Sequence, residues 1–161
     1  MGREFHGAVS GDGMQIAIVA SSYNDVIVKS LVRGATASLL ACGASEADID
    51  LAWCPGAVEL PLVAKRLADT GNYAAVVALG CVIRGGTPHF EYVSSIAADG
   101  LTRASLDSGV PISFGVLTVD TMEQAIERAG AKMGNKGCEA ADAAVAMANL
   151  LAAIDATAGD S

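Results

Sequence analysis

Aromatic residues are scarce in this chain of 161 residues: one Trp, three Tyr and three Phe. Ala, Val, Leu and Ile must then close the core through many small contacts, which suits helices packed tightly on a sheet. Basic residues are scarce too. Lys plus Arg number 10 against 18 Asp plus Glu, a formal charge of −8, and no segment gathers the cations. A nucleic-acid partner requires a cationic footprint, so that class is excluded, and an anionic ligand would need a local positive site set against the overall field. Cys42, Cys54, Cys81 and Cys138 form no C-x-x-C pair, and the two histidines join no cluster at metal spacing. Reduced thiols and no metal are expected. No charged-then-apolar leader opens the chain, His6 stands where a myristoylation signal needs Ser or Thr, and no apolar run approaches about 18 residues. A soluble, cytoplasmic protein without a membrane partner is expected.

What is present is an alternation of short apolar runs and helical periodicity. Residues 14–20 are β-branched and almost uninterruptedly apolar, as in a strand buried on both faces. Asn24 is placed to cap a helix whose apolar positions Ile27, Val28, Leu31, Val32, Ala35, Leu39 and Leu40 recur until Gly43. A second strand is expected at 50–54, a turn at Pro55-Gly56 and a helix over about 57–70 with Pro61 in its first turn. A third strand over 74–80 runs on through Cys81-Val82-Ile83 to a helix from Pro88 to about Asp107. A fourth spans Ile112 to Val119, with a helix over about 121–131, a break at Gly134–Gly137 and an Ala-rich helix to about Ile154. Alternating strands and helices imply right-handed crossovers, hence an α/β fold: a three-layer α/β/α sandwich on a four-stranded parallel sheet. The chain reads as one domain over 1–161, with an arm at 1–13, a core at 14–154 and a tail at 155–161. The arm is either a frayed tail or an edge strand on a neighbouring subunit.

Ligands of parallel sheets gather at the carboxyl ends of the strands. Among those loops, Arg84 through Phe90 is the most informative. Gly85-Gly86 lets backbone N–H groups approach an anion, Thr87 can act as N-cap, Pro88 fits the first helical position, and His89 follows in the first turn as a proton carrier. The same residues also describe an ordinary strand-to-helix turn with a surface histidine. Glu59 near its helix start is either a carboxylate favoured by the dipole or an acceptor for a polyhydroxylated ligand, helped by the backbone of Ala57 and Val58. Tyr23 and Phe114 offer flat faces to a planar ring, or are an exposed turn and a core residue respectively. Arg128 alone reads as a solvated helix arginine.

Taken together, Pro55-Gly56-Ala57-Val58-Glu59-Leu60-Pro61, Val82 through Tyr92, Glu127-Arg128-Ala129-Gly130 and Asn135-Lys136-Gly137 closely resemble the 6,7-dimethyl-8-ribityllumazine synthase family, over residues 14 to 154. The resemblance implies a flavodoxin-like fold. It also implies the penultimate step of riboflavin biosynthesis: condensation of 5-amino-6-(D-ribitylamino)uracil with 3,4-dihydroxy-2-butanone 4-phosphate, releasing phosphate and water, with no cofactor. By the family pattern Tyr23 and Phe114 contact the pyrimidine, while Ala57, Val58 and Glu59 hold it and its ribityl chain. Cys81, Val82 and Ile83 line the pocket through their backbone, and Lys136 is a further contact. Gly86, Thr87 and Arg128 take the phosphate, His89 shuttles protons, and Arg84 is a structural neighbour of the phosphate site. Implied partners are the small-molecule substrates, sibling subunits in a pentamer with sites between them, and riboflavin synthase. The connection Lys132–Gly137 resembles that of members that close into an icosahedral shell of about 60 subunits. Tyr23 stands where the family usually has Phe, and Ser22 where Arg is frequent. Rival expectations are a non-catalytic flavin- or lumazine-binding protein and a purely shell-forming one.

Overall fold

The computed structural model describes residues 1–159. Strands β1 (Ile16–Ser21), β2 (Ile49–Cys54), β3 (Ala75–Ile83) and β4 (Ile112–Val119) form one parallel sheet in the order β2-β1-β3-β4. The central strands β1 and β3 are buried along almost their whole length, which is why both read as unbroken apolar runs. Their side chains alternate between two cores. Ile16, Ile18, Ala20, Val77 and Leu79 face α1 (Asp25–Ala41) and α5 (Lys136–Asp155), meeting Val28, Leu31, Leu39, Ala141 and Val145. Ala17, Val19, Val76 and Ala78 face α2 (Leu60–Asp69) and α3 (His89–Ser108), meeting Leu60, Ala64, Ala97 and Leu101. The result is the three-layer α/β/α sandwich.

Small residues let these layers approach. A Cβ added at Gly137 would lie 2.1 Å from the Leu31 carbonyl oxygen, and one at Gly100 would lie 2.6 Å from Pro61 Cγ. Chain composition and layer spacing are thus one fact: few large rings, many close helix contacts.

Helix ends depart from expectation in instructive ways. Asn24 stands at the N-cap position of α1, yet its side chain makes no capping bond; it is the one non-glycine with positive φ among the described residues (φ 58°, ψ 46°), a conformation Asn tolerates better than most. The helix expected from 57 begins as a 3₁₀ turn at Ala57–Glu59 and becomes α-helical at Leu60, with Pro61 in its first turn. α3 starts at His89, with Pro88 as its N-cap and Thr87 outside it, because Pro88 (ψ 4°) does not reach helical geometry.

The helix expected over 121–131 is shorter. α4 (Met122–Arg128) is capped by Thr121 Oγ1, which accepts from Gln124 N–H at 3.2 Å. It gives way to an antiparallel ribbon, β5 (Ala129–Ala131) with β6 (Gly134–Asn135). Gly130 (φ 112°) and Gly134 (φ 77°) hold backbone conformations that other residues resist, and these end the helix and turn the ribbon. Asn135 then caps α5, its Oδ1 accepting from Gly137 and Cys138 N–H while its Nδ2 donates to the Ser30 carbonyl on α1.

The N-terminal arm forms no strand within the chain. It lies on α5, where Asn149 Nδ2 donates to the carbonyls of Ala8 (2.6 Å) and Ser10 (2.9 Å), and where a Cβ at Gly7 would overlap the Ala146 carbonyl. The segment Lys136–Gly159 is long and apolar enough to cross a membrane, with a mean hydropathy of 1.3, so the expectation that no run comes near that length does not hold. Alanine raises that value. The inner face of α5 packs into the sheet core, and Asp142 on the helix accepts a hydrogen bond from Ser38 of α1, as a core helix does. Residues 160–161 of the expected tail lie outside the described residues.

Candidate active site

Two of the clefts along the sheet hold expected site residues, and these two share no lining residue. The first, about 350 Å³, is bounded by Tyr23, Asn24, Gly56–Glu59, Cys81–Ile83, His89 and Val93. The second, about 400 Å³, runs along the free edge of β4 and is bounded by Phe114, Val116–Val119, Arg128, Met133, Lys136 and Glu139.

In the first cleft three strand-end loops are stitched together. Ser22 and Tyr23 N–H donate to the Pro55 carbonyl at 3.1 Å, joining the β1 loop to the β2 loop. Asn24 Nδ2 donates to the Cys81 carbonyl at 3.0 Å, joining the β1 loop to the end of β3. Gly56 has an extended backbone that any residue could adopt (φ −143°), yet a Cβ there would lie 2.7 Å from the Tyr23 ring and 3.2 Å from Glu59 Oε2. Glycine at 56 therefore lets the ring and the carboxylate converge over the backbone. Glu59 Oε2 accepts from Gly56 N–H at 3.0 Å, a local bond at the helix start. Its second oxygen accepts from nothing among the described residues.

Cys54 and Cys81 supply no nucleophile. Burial, reinforced for Cys54 by the nearby Glu59 charge, pushes both thiols up to about 11, so both stay protonated near neutrality. His89 is an exposed side chain of the cleft lining, beside the exposed Tyr23 and Glu59.

The turn before His89 is unusual in what it does not do. The N–H groups of Gly85, Gly86 and Thr87 donate to nothing among the described residues, and a Cβ on either glycine would meet nothing within 4 Å. The chain's own packing does not require glycine there, and unpartnered backbone N–H groups before a helix are of the kind that can accept an anion. Arg84, by contrast, is committed elsewhere. Its Nε donates to Asp120 Oδ1 at 2.8 Å, its Nη1 pairs with Glu91 Oε1, and its guanidinium lies 4.3 Å from the Phe90 ring centroid.

In the second cleft Phe114 is partly exposed on β4 and Arg128 closes α4, its Nη1 donating to the Gln124 carbonyl at 3.1 Å. Lys136 opens α5, 4.0 Å from Glu139. Two cations, a carboxylate and an aromatic face thus line this cleft. The fold gathers most of the expected residues into two groups, Tyr23, Ala57–Glu59, Cys81–Ile83 and His89 in one cleft, Phe114, Arg128 and Lys136 in the other, while Gly86 and Thr87 line neither. Within one chain, Phe114 and Arg128 do not surround the His89 turn. Asn24 and Gly56 also line the first cleft; both lie in strand-end loops, but their residue types read as a helix cap and a turn glycine and not as ligand contacts. No group of His, Cys, Asp or Glu among the described residues could hold a metal ion. The family model for 6,7-dimethyl-8-ribityllumazine synthase matches residues 13–152.

Proposed function

The chain belongs to the 6,7-dimethyl-8-ribityllumazine synthase family, and from that premise we propose that its two clefts are the complementary halves of one active site, joined between neighbouring subunits. As a member it is a transferase of riboflavin biosynthesis, condensing 5-amino-6-(D-ribitylamino)uracil with 3,4-dihydroxy-2-butanone 4-phosphate to give 6,7-dimethyl-8-(D-ribityl)lumazine, phosphate and water. It works on small molecules as an oligomer.

One observation carries the proposal: the ring, carboxylate and histidine lie in one cleft, while the second aromatic and the cations lie in another with no lining residue in common. Tyr23 and, from across the boundary, Phe114 take the two sides of the pyrimidine. Ala57, Val58 and Glu59 hold its polar edge and ribityl chain, beside the backbone of Cys81, Val82 and Ile83. Gly86 and Thr87 N–H groups with Arg128 hold the phosphate, and Lys136 reaches the bound pair.

The chemistry fits these parts. The uracil amine attacks the ketone and water leaves to form an imine; phosphate is then eliminated, and ring closure with a second dehydration completes the lumazine. Each step needs placement and a proton carrier, with no covalent enzyme nucleophile. His89 moves those protons. Arg128 and the free N–H groups stabilise the phosphate as its charge grows on leaving. The balance calls for no redox cofactor.

The assembly is proposed as a cytoplasmic pentamer closed into an icosahedral 60-mer, with riboflavin synthase as an associated enzyme. Exposed Tyr92, Ile96 and Leu106 on α3, with Met122 and Ile126 on α4, supply the apolar surface such contacts would cover. A size measurement finding only free pentamers would remove the shell.

The test pairs two variants. Wild-type protein given both substrates should produce lumazine absorbance and free phosphate, whereas His89→Ala and Arg128→Ala should each be impaired. Co-assembled in equal amounts, the two variants should recover about a quarter of wild-type activity, the share of junctions that combine two intact halves. No recovery in verified mixed oligomers would place both halves in one subunit.

A further inference from the structure

The turn that carries His89 is tied at Arg84 and again at Pro88, whose carbonyl accepts from Glu91 N–H at 3.2 Å. Gly85, Gly86 and Thr87 leave their N–H groups unbonded among the described residues. At the near end Arg84 N–H donates to the Val119 carbonyl at 2.8 Å, extending the contact between β3 and β4 past the last strand residue. The Arg84 side chain then spans the loop. Nη1 pairs with Glu91, two residues beyond His89; the guanidinium covers Phe90, one residue beyond; and Nε is fixed to Asp120 just after β4.

We propose that Arg84 is a positioning residue that staples this loop shut, presenting the N–H groups of 85–87 and the His89 ring together without itself binding phosphate. The proposal rests on the roles given above to His89 and the turn.

Charge supports it. One guanidinium faces two carboxylates, so its positive charge is already balanced and is not left over for a phosphate. Binding phosphate through Arg84 would require breaking two charge-assisted hydrogen bonds. The bond from Arg84 holds the Glu91 carboxyl below its ordinary range, and Asp120 first, then Glu91, push Arg84 above its own, so Arg84 and Glu91 stay ionised near neutrality. The side chains are about half exposed, where isolated ion pairs contribute little to stability. The staple therefore acts on loop geometry while the fold stands without it. Lysine, a point charge without a fork or a planar face, would not replace it.

Arg84→Ala, Arg84→Lys, Glu91→Ala and the double variant Arg84→Ala/Glu91→Ala separate the alternatives. Steady-state kinetics with both substrates, inhibition by inorganic phosphate, thermal melts and equilibrium binding of the lumazine product are measured for each. A staple predicts that Arg84→Ala lowers kcat about 10- to 100-fold with melting and lumazine binding retained. It also predicts a fall for Glu91→Ala, a double variant no worse than Arg84→Ala, and no rescue by Arg84→Lys. A phosphate ligand predicts the reverse for Glu91→Ala: releasing the guanidinium would tighten inorganic phosphate, and the Arg84→Ala loss would fall on the KM of the phosphate substrate. That result, additive losses, or an unaffected Arg84→Ala would overturn the staple. Should Arg84→Ala fail to fold, Glu91→Ala and Arg84→Lys carry the same contrast. A wild-type protein that makes no lumazine would sink the enzyme reading instead, so the two failures are distinct.

Discussion

Gly86 has room for a side chain and a backbone that would accept one: nothing lies within 4 Å of an added Cβ, and its φ is not positive. Alanine at such a position restricts the unfolded chain and stabilises by about 0.4–1 kcal/mol. Gly86→Ala should therefore melt slightly higher than wild type while its KM for the phosphate substrate rises, because the methyl stands before the open N–H groups. An unchanged KM would remove those groups from phosphate binding. His89→Ala differs in kind. It should leave the melt alone and lower kcat about 10²-fold, and an undiminished kcat would end its proton-carrying role. Which residues meet a ligand was partly legible at this scale. His89 and the double glycine announced themselves by type, since few side chains titrate near neutrality and few sequences spend two glycines before a helix. Asn24 did not. Its tether to the Cys81 carbonyl joins positions 57 apart in sequence, and a single chain read in order carries no sign of that contact.

At the scale of elements, β1 and β3 were legible to within a residue or two because burial on both faces leaves no polar interruption. The ribbon β5–β6 was not, since segments of two and three residues are too short to establish a period, and Gly130 read as an incident in a helix. Helix starts shifted where proline geometry or a 3₁₀ turn intervened. A tight joint between helices is Gly137 of α5 against α1, where an added Cβ would lie 2.1 Å from a backbone oxygen that no rotamer can move. Gly137→Ala should cost about 1–3 kcal/mol, read as a lower urea midpoint. Since Lys136 precedes it, the second cleft should be disturbed as well; an unshifted midpoint would show that the helices separate freely.

For the whole molecule, the sequence order of the site residues concealed their division between two clefts, because order along a chain says nothing about which side of a sheet each loop reaches. On the proposed assembly, catalytic capacity is counted in junctions and not in chains. A lone subunit has none, two joined subunits have one, an open row always has one fewer than its members, and a closed ring has as many. Specific activity should accordingly fall on dilution in step with dissociation, followed by gel filtration at matched concentrations, and constant activity across that transition would argue for a site complete in each subunit. The free edge of β4, where the second cleft runs, then behaves as an unpaired terminal: each chain offers one and receives one. Closure of the ring is what lets every chain count in full.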